Sequence, residues 1–505
     1  MAQRSSRCFR IKVLAVILAL VVGACAPPIT RVGAGGTLKI GIHGNSSERL
    51  DPYSSTSAEA QSVRVAQLFD GLTRLSPSGK VTWSLAVAMR PNATLDEWTV
   101  KLRPNVRLHD GRTFGAEDVI YSVRRILDPR LASAGAALLS FVDPDRITKV
   151  DDLTVRFRLK RPFSLFEQVW SNYYLVMVPR GFDPRHPIGT GPFRYVTAEP
   201  GRGSIFTRFA RYWGGPAKIA RLEILDLPSR QAEINALQGG QIDIAAQIPS
   251  QQADSLANTP GLRLLESRSN NHLVLGMRTD LAPFDDVRVR NAVRLLVDRR
   301  QVVRNAFSGH GAVADDLDIR DNACGFPGPE QRTQNIAQAR RLLAEARVPH
   351  LEFSIATADD QPGMLELAQV VQQNALRAGV TVKINKLDTA GFLARWKEWP
   401  VATGYDSGPY ASILQNSLLP DGTENVSRWN DKEFVALADE LLSTGDPAQQ
   451  CAIRQRMDRI QHDRGGTLIP AWNDLLTAYR KQVTGLPVTR SLPPVYYLTG
   501  VSVGQ

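Results

Sequence analysis

Residues 351–388 read LEFSIATADDQPGMLELAQVVQQNALRAGVTVKINKLD. LEFSIAT is a short apolar strand signal, LELAQVVQQNALRAG has helical spacing and stops at Gly379, and VTVKINKLD alternates again as a strand. A helix of this length between two strands is the crossover of a parallel pair, which places the segment in an α/β lobe. The same grammar recurs upstream. Thr37–His43 (TLKIGIH) reads as a buried strand, RLEILDLP as another, and QAEINALQGGQIDIA as a helix halted by Gly239-Gly240 before a further buried strand. Alternation in both halves of a 505-residue chain points to two α/β lobes. At 43% hydrophobic and 22% charged residues, large cores can be buried.

Residues 98–126 carry the sharpest local pattern. Trp98, Val100 and Leu102 alternate, as do Val106 and Leu108, and Asp110-Gly111 is a tight-turn dipeptide. Glu117 and Asp118 then suit the first turn of a helix, whose Val119, Val123 and Ile126 form one apolar face. The run DDVRVRNAVRLLVDRRQVVRNAF is helical, with Asp298 and Gln301 spaced as in a capping box. Asp431, in NDKEF, is expected to face solvent.

The N-terminus has a different logic. Arg4, Arg7, Arg10 and Lys12 precede an aliphatic run that ends VVGAC, too short to span a bilayer and shaped like a secretory signal. Cys25 stands where the bacterial lipoprotein pattern places the residue that receives lipid. Residues 1–24 are therefore expected to be a signal peptide, and residues 25–35 a lipidated cysteine with its tether. Of four cysteines, Cys8 leaves with the signal and Cys25 is used. Cys324 and Cys451 remain, either to pair in an oxidising compartment or to stay as two separate buried thiols.

Several functions are disfavoured. The net charge of +11 is scattered along the chain without a basic, aromatic-laced tract, so no nucleic-acid partner is expected. The seven histidines lie far apart and none has metal-ligand spacing, so no metal site and no cofactor are expected. There is no Gly-x-Ser-x-Gly elbow, phosphate loop or complete Gly-x-Gly-x-x-Gly, and no catalytic residue is singled out. The chain does not read as an enzyme.

Five segments in order carry a family resemblance. WTVKLRPNVRLHDGRTFGAEDVIYSVRR is the most specific; IGTGPFRYV…RYWGGPAKIARLEIL, ALQGGQIDIA, PFDDVRVRNAVRLLVDRRQVV and AGVTVKI follow. Together they resemble the extracytoplasmic solute-binding proteins of ABC importers, of the peptide- and nickel-binding type (family 5). The resemblance implies a two-lobed periplasmic-binding-protein-like α/β fold with a hinge and a smaller domain inserted in lobe I. On that analogy lobe I comprises residues 36–55, 189–277 and 483–505, the insert 56–188, and lobe II 278–482. NNHLVLGMR and LTAYRKQVTG would cross at the hinge.

The implied function is a lipid-anchored monomer that captures a peptide or peptide-like solute in the interlobe cleft. It would deliver that solute to an ABC permease and its ATPase subunits from outside the cell membrane. A sensor or regulatory envelope lipoprotein on the same fold is the alternative, and an exported hydrolase a remoter one. Peptide-binding members use an Asp against the peptide ammonium. The matching stretch, ATGYDSGPYASIL, departs from the pattern by placing Tyr405 where Asp is expected and Asp406 one position later. Asp406 is thus a ligand candidate or a turn former. Dipeptide binders also carry an Arg after the strand matching LEFSIAT; here Asp359 and Asp360 stand instead, as ligand contacts or as caps of the following helix. Trp170, Tyr173, Tyr174, Trp396 and Trp399 line a cleft or fill a core. A negative cleft without a matching Arg calls for a solute bearing a cation or several hydrogen-bond donors.

Overall fold

The computed structural model describes residues 35–44, 50–54, 59–320, 324–325 and 328–504. The expected signal, Cys25 and the tether up to residue 34 lie outside the described residues. Seven strands form the first sheet, in the order Leu262–Ser267, Leu475–Arg480, Ile244–Ala245, Thr37–His43, Arg221–Leu227, Gly203–Arg208, Phe193–Glu199. Thr37–His43 lies at its centre, parallel to both neighbours, with Leu38, Ile40 and Ile42 wholly buried. The second sheet runs Gly311–Val313, Ala471–Asn473, His272–Met277, Val401–Asp406, Glu352–Thr357, Thr381–Lys386, with Thr467–Leu468 also against His272–Met277. Its last two strands are parallel and joined by the helix Met364–Leu376, the unit read from residues 351–388. The protein is a two-lobed α/β structure.

Between Thr37–His43 and Phe193–Glu199 the chain builds a separate four-stranded antiparallel sheet: Ala86–Pro91, Glu97–Leu102, Thr154–Leu159, Val142–Asp151. Trp98, Val100 and Leu102 point inward from it, as their alternation predicts. Gly111 turns the following loop at φ +93°, a backbone state that glycine adopts without strain. The helix Ala116–Ile126 begins where Asp118 accepts from the Gly115 amide at 3.0 Å, and it buries Val119, Val123 and Ile126.

Two boundaries differ from those expected. His272–Met277 lies in the second sheet and Leu475–Arg480 in the first, so the lobes part near residues 268–271 and at Asp474 rather than after 277 and 482. Alternation identifies a strand, but its pairing partner decides the lobe. The helix Glu59–Leu68, expected in the insert, packs on lobe I instead. Buried Arg64 pairs with Asp226 there and donates to Ser204 Oγ at 2.7 Å. Asp431 does not simply face solvent: it caps the helix Lys432–Leu442 and pairs with Arg464 at 2.9 Å. No helix among the described residues is long and apolar enough to cross a membrane.

Cys324 and Cys451 are bonded across a sequence separation of 127, which ties Cys324 to the helix Pro447–Arg464. Loop closure of this length is worth about 5 kcal/mol in the chain-entropy account. Reduction is therefore expected to lower the urea midpoint clearly. Alkylation of both thiols in denatured, unreduced protein would contradict the bond.

Candidate functional site

The two chain crossings run side by side. Ser269 Oγ donates to the Asn473 carbonyl at 2.5 Å, and the Asn473 amide to the Asn271 carbonyl at 2.8 Å. Beside them opens a cleft of about 760 Å³, walled by Trp83 and Glu167 from the insert, Asn270 from the crossing, and Ile319, Tyr410 and Arg454 from lobe II. Farther along, the insert touches lobe II directly: Ser164 Oγ donates to Leu441 carbonyl at 2.7 Å, and Asn172 Nδ2 to Ser412 Oγ at 3.2 Å. A smaller chamber of about 190 Å³ shares Ile319, Tyr410 and Arg454 with the cleft and continues into lobe II. There it meets Asp315, Asp318, Asp458 and Gln461.

Two elements shape the chamber. One is the helix Pro447–Arg464, on which Cys451, Arg454, Asp458 and Gln461 recur at three- and four-residue spacing and so share a face. The Arg454 guanidinium lies over the Tyr410 ring, 3.2 Å from its centroid, and reaches Asp458 at 3.7 Å. Burial, opposed by Arg454, pushes the Asp458 carboxyl up to about 6.

The other element is the stretch Asp315–Arg320, held at three points. Asp316, fully buried at φ +66°, accepts from Arg299 Nη2 at 2.7 Å, Arg332 Nε at 2.9 Å and the Ile469 amide at 2.9 Å. Burial alone would raise its pKa. The surrounding Arg299, Arg294 and Arg332 outweigh that and hold it below the ordinary carboxylate value. Arg320 pairs with Asp474 at the crossing, and Asp318 turns to His272.

His272 opens the first lobe II strand after the crossing and is fully buried. Its Nε2 lies 3.0 Å from Asp318 Oδ1 and its Nδ1 2.9 Å from the Asn270 carbonyl. Gln461 Nε2 donates to the other oxygen of Asp318. Asp406 is the antiparallel register partner of His272, which brings both side chains to one face of the sheet. Burial disfavours a charged His272 ring, yet the Asp318 carboxylate overrides it and raises the pKa. Asp406 is raised by burial and then by Asp318 and Glu424, with His272 opposing.

The other sequence candidates disperse. Tyr405 precedes Asp406 in the strand Val401–Asp406 and is within electrostatic reach of Tyr173, whose ring lies 4.1 Å from Tyr174 and 6.5 Å from Tyr496. These tyrosines come from the insert, lobe II and the C-terminal segment. Burial raises the pKa of each. Asp359 is 65% exposed and pairs with Lys386 at 2.6 Å, while Asp360 is half-buried. Neither caps the next helix, which starts from Gly363 without a side-chain cap. Trp396 and Trp399 pack on the lobe II core, and Trp170 is wholly buried in the core that the insert shares with lobe I and with residues 411–460 of lobe II.

Sequence reasoning missed His272, Asp318 and Glu59. Glu59 gives one carboxylate oxygen to Arg230 and leaves Oε1 buried without a partner, while its charge is felt by Tyr405 and Tyr496. The polar spacing on residues 451–461 was the available signal for the chamber; nothing local marked His272 or Glu59.

The sequence profile described as "Bacterial extracellular solute-binding proteins, family 5 Middle" matches residues 81–418, more than half of the chain. The chain belongs to that family. The glutathione-binding protein GsiB of Pectobacterium atrosepticum is 25% identical over 477 residues, covering 88% of this chain and 90% of the relative. Among solved structures, the protein AgaA of A. tumefaciens R10, in complex with agropinic acid, superposes with a TM-score of 0.79. Its identity is 23%, with 93% of this chain and 99% of that one covered. DppA of Helicobacter pylori, in complex with the peptide STSA, gives a TM-score of 0.80 at 18% identity, covering 93% and 98%. This family 5 protein is a solute-binding component of the ABC-importer class and not an enzyme. Members of the family work outside the cytoplasm beside a membrane permease.

Proposed function

We propose that this family 5 protein is the lipid-anchored receptor of an ABC importer, tethered through Cys25, and that it captures a peptide or peptide-like solute between its lobes. The observation that carries the reading is the 760 Å³ cleft beside the two crossings, whose wall is drawn from the insert, the crossing and lobe II together. A solute there bridges parts of the chain that move relative to one another when the lobes close. Tyr410 and Trp83 on the cleft wall supply flat apolar faces, the tyrosine with a polar tip, suited to a peptide backbone. Glu167 on the cleft wall and Asp406, four residues before Tyr410, favour a solute that brings an ammonium or several hydrogen-bond donors. No Arg directly follows the strand Glu352–Thr357 to clamp the peptide carboxylate; Asp359 and Asp360 stand there. A dipeptide held at both ends therefore fits less well than a longer peptide.

Mass spectrometry of the solute that co-purifies with the protein tests the reading, followed by calorimetry with the identified compound. Recovery of peptides whose binding compacts the protein in small-angle scattering supports it. A purified protein that binds no peptide from a mixed library would end it. The tether has its own test. Two or more acyl chains hold a protein firmly at a bilayer, where one exchanges. Cys25→Ser is expected to move the protein from the membrane fraction to the soluble or uncleaved form. Unchanged detergent partitioning would contradict the anchor.

A further inference from the structure

We propose that His272, Asp318 and Asp406 form a binding site for one divalent transition-metal cation. Each residue offers one ligand atom, and these atoms all lie within 4.8 Å of one another. The Asn270 carbonyl can only accept a hydrogen bond, so His272 Nδ1, 2.9 Å away, carries the hydrogen. In the neutral ring Nε2 then bears the lone pair, and it faces Asp318 Oδ1 at 3.0 Å. The contact is favourable only with a positive centre shared by the two atoms, which is either a proton on Nε2 or a metal ion that replaces it.

The 3.0 Å between His272 Nε2 and Asp318 Oδ1 suits a metal held by both, and the Asp406 oxygen, within 4.8 Å of them, would draw in to complete the set. Nitrogen and oxygen ligands about 2.0–2.2 Å from a metal, at angles between square and tetrahedral, stand about 3.0–3.5 Å apart. The surroundings are those of a preorganised centre. The Nδ1 hydrogen bond to the backbone fixes the ring's orientation and tautomer, and Gln461 fixes the Asp318 carboxylate. Asp316 and Arg320 clamp the backbone on both sides of Asp318. The Trp472 ring packs edge-on against the His272 ring at 5.0 Å. An imidazole with two carboxylates suits zinc, cobalt or manganese better than magnesium, which prefers oxygen and water alone. Three protein ligands leave coordination positions for water or for a group entering from the neighbouring chamber.

The test uses the metal alone. The mature protein is stripped with chelator, exchanged into metal-free buffer and titrated calorimetrically with Zn2+, and with Co2+ followed by visible absorption. One equivalent is expected to bind in the micromolar range or tighter, and bound Co2+ to give a ligand-field band. His272→Gln and Asp318→Asn are each expected to weaken binding at least tenfold, with thermal unfolding verifying that both variants are folded; Asp359→Asn is expected to bind as the parent does. The absence of saturable one-equivalent binding would overturn the proposal and leave a shared proton between His272 and Asp318. Binding undiminished in both variants would overturn it equally. Because no solute is present, that failure leaves the solute-capture reading untouched.

Discussion

Replacement of Asp316 by alanine is expected to cost about 3–5 kcal/mol of folding stability, the range for breaking one side of a buried charge network. Asp316 is fully buried and is the carboxylate to which Arg299 and Arg332 both donate. Without it, Arg299, almost wholly enclosed, keeps only the carbonyls of Ala314 and Ile469, and the Ile469 amide loses its acceptor. Unpaired buried charge is costly because the interior cannot replace the hydration it removes. The loop carrying Asp315, Asp318 and Ile319 loses its central attachment, so solute binding is expected to fall as well. Urea unfolding measures the first effect, with Asp359→Asn as control, since that residue is 65% exposed in a surface pair. A loss below about 1 kcal/mol would show that water or a neighbouring residue compensates Arg299 and Arg332.

Substitution of Asp406 by asparagine is expected to weaken solute binding by about two orders of magnitude or more. The side chain keeps its size and loses its charge, so a solute ammonium desolvated in the closed cleft would lose its counter-charge, a loss typically worth about 3–5 kcal/mol. Asp406 sits at the end of its strand beside His272, with Tyr410 of the cleft wall four residues on. Calorimetry with the co-purified solute on metal-free protein reads this loss separately from any change in metal affinity. Binding as tight as in the parent would make Asp406 a turn residue, its carboxylate serving only to accept from the Ser407 amide.

Local elements were legible in the amino-acid order because their causes are local. Thr37–His43, the alternation of Trp98, Val100 and Leu102, the turn at Gly111 and the cap at Asp298 each rest on periodicity or on one residue's backbone preference. The βαβ unit over residues 351–388 was legible for the same reason, and so was the lobe architecture, since a crossover helix forces parallel pairing. Cysteine count allowed two outcomes for Cys324 and Cys451. Choosing between them required bringing a loop onto a helix across 127 residues. Asp359 and Asp360 illustrate the opposite failure: an acid before a helix resembles a cap, yet Gly363 starts the helix and Asp359 turns to Lys386 on the adjacent parallel strand.

The cluster around His272 was beyond any reading of spacing. Asp318 lies 46 positions from His272 and Gln461 another 143 from Asp318, while Asp406 joins them through antiparallel strand register. A histidine far from every other histidine carries no motif. Its neighbours are set by which strands pair at the crossing and by Asp316 drawing its loop onto Arg299. Strand identity follows from the alternation of apolar side chains along one segment. Strand partnership, and with it every contact across the cleft, follows from the burial of cores assembled from segments hundreds of residues apart.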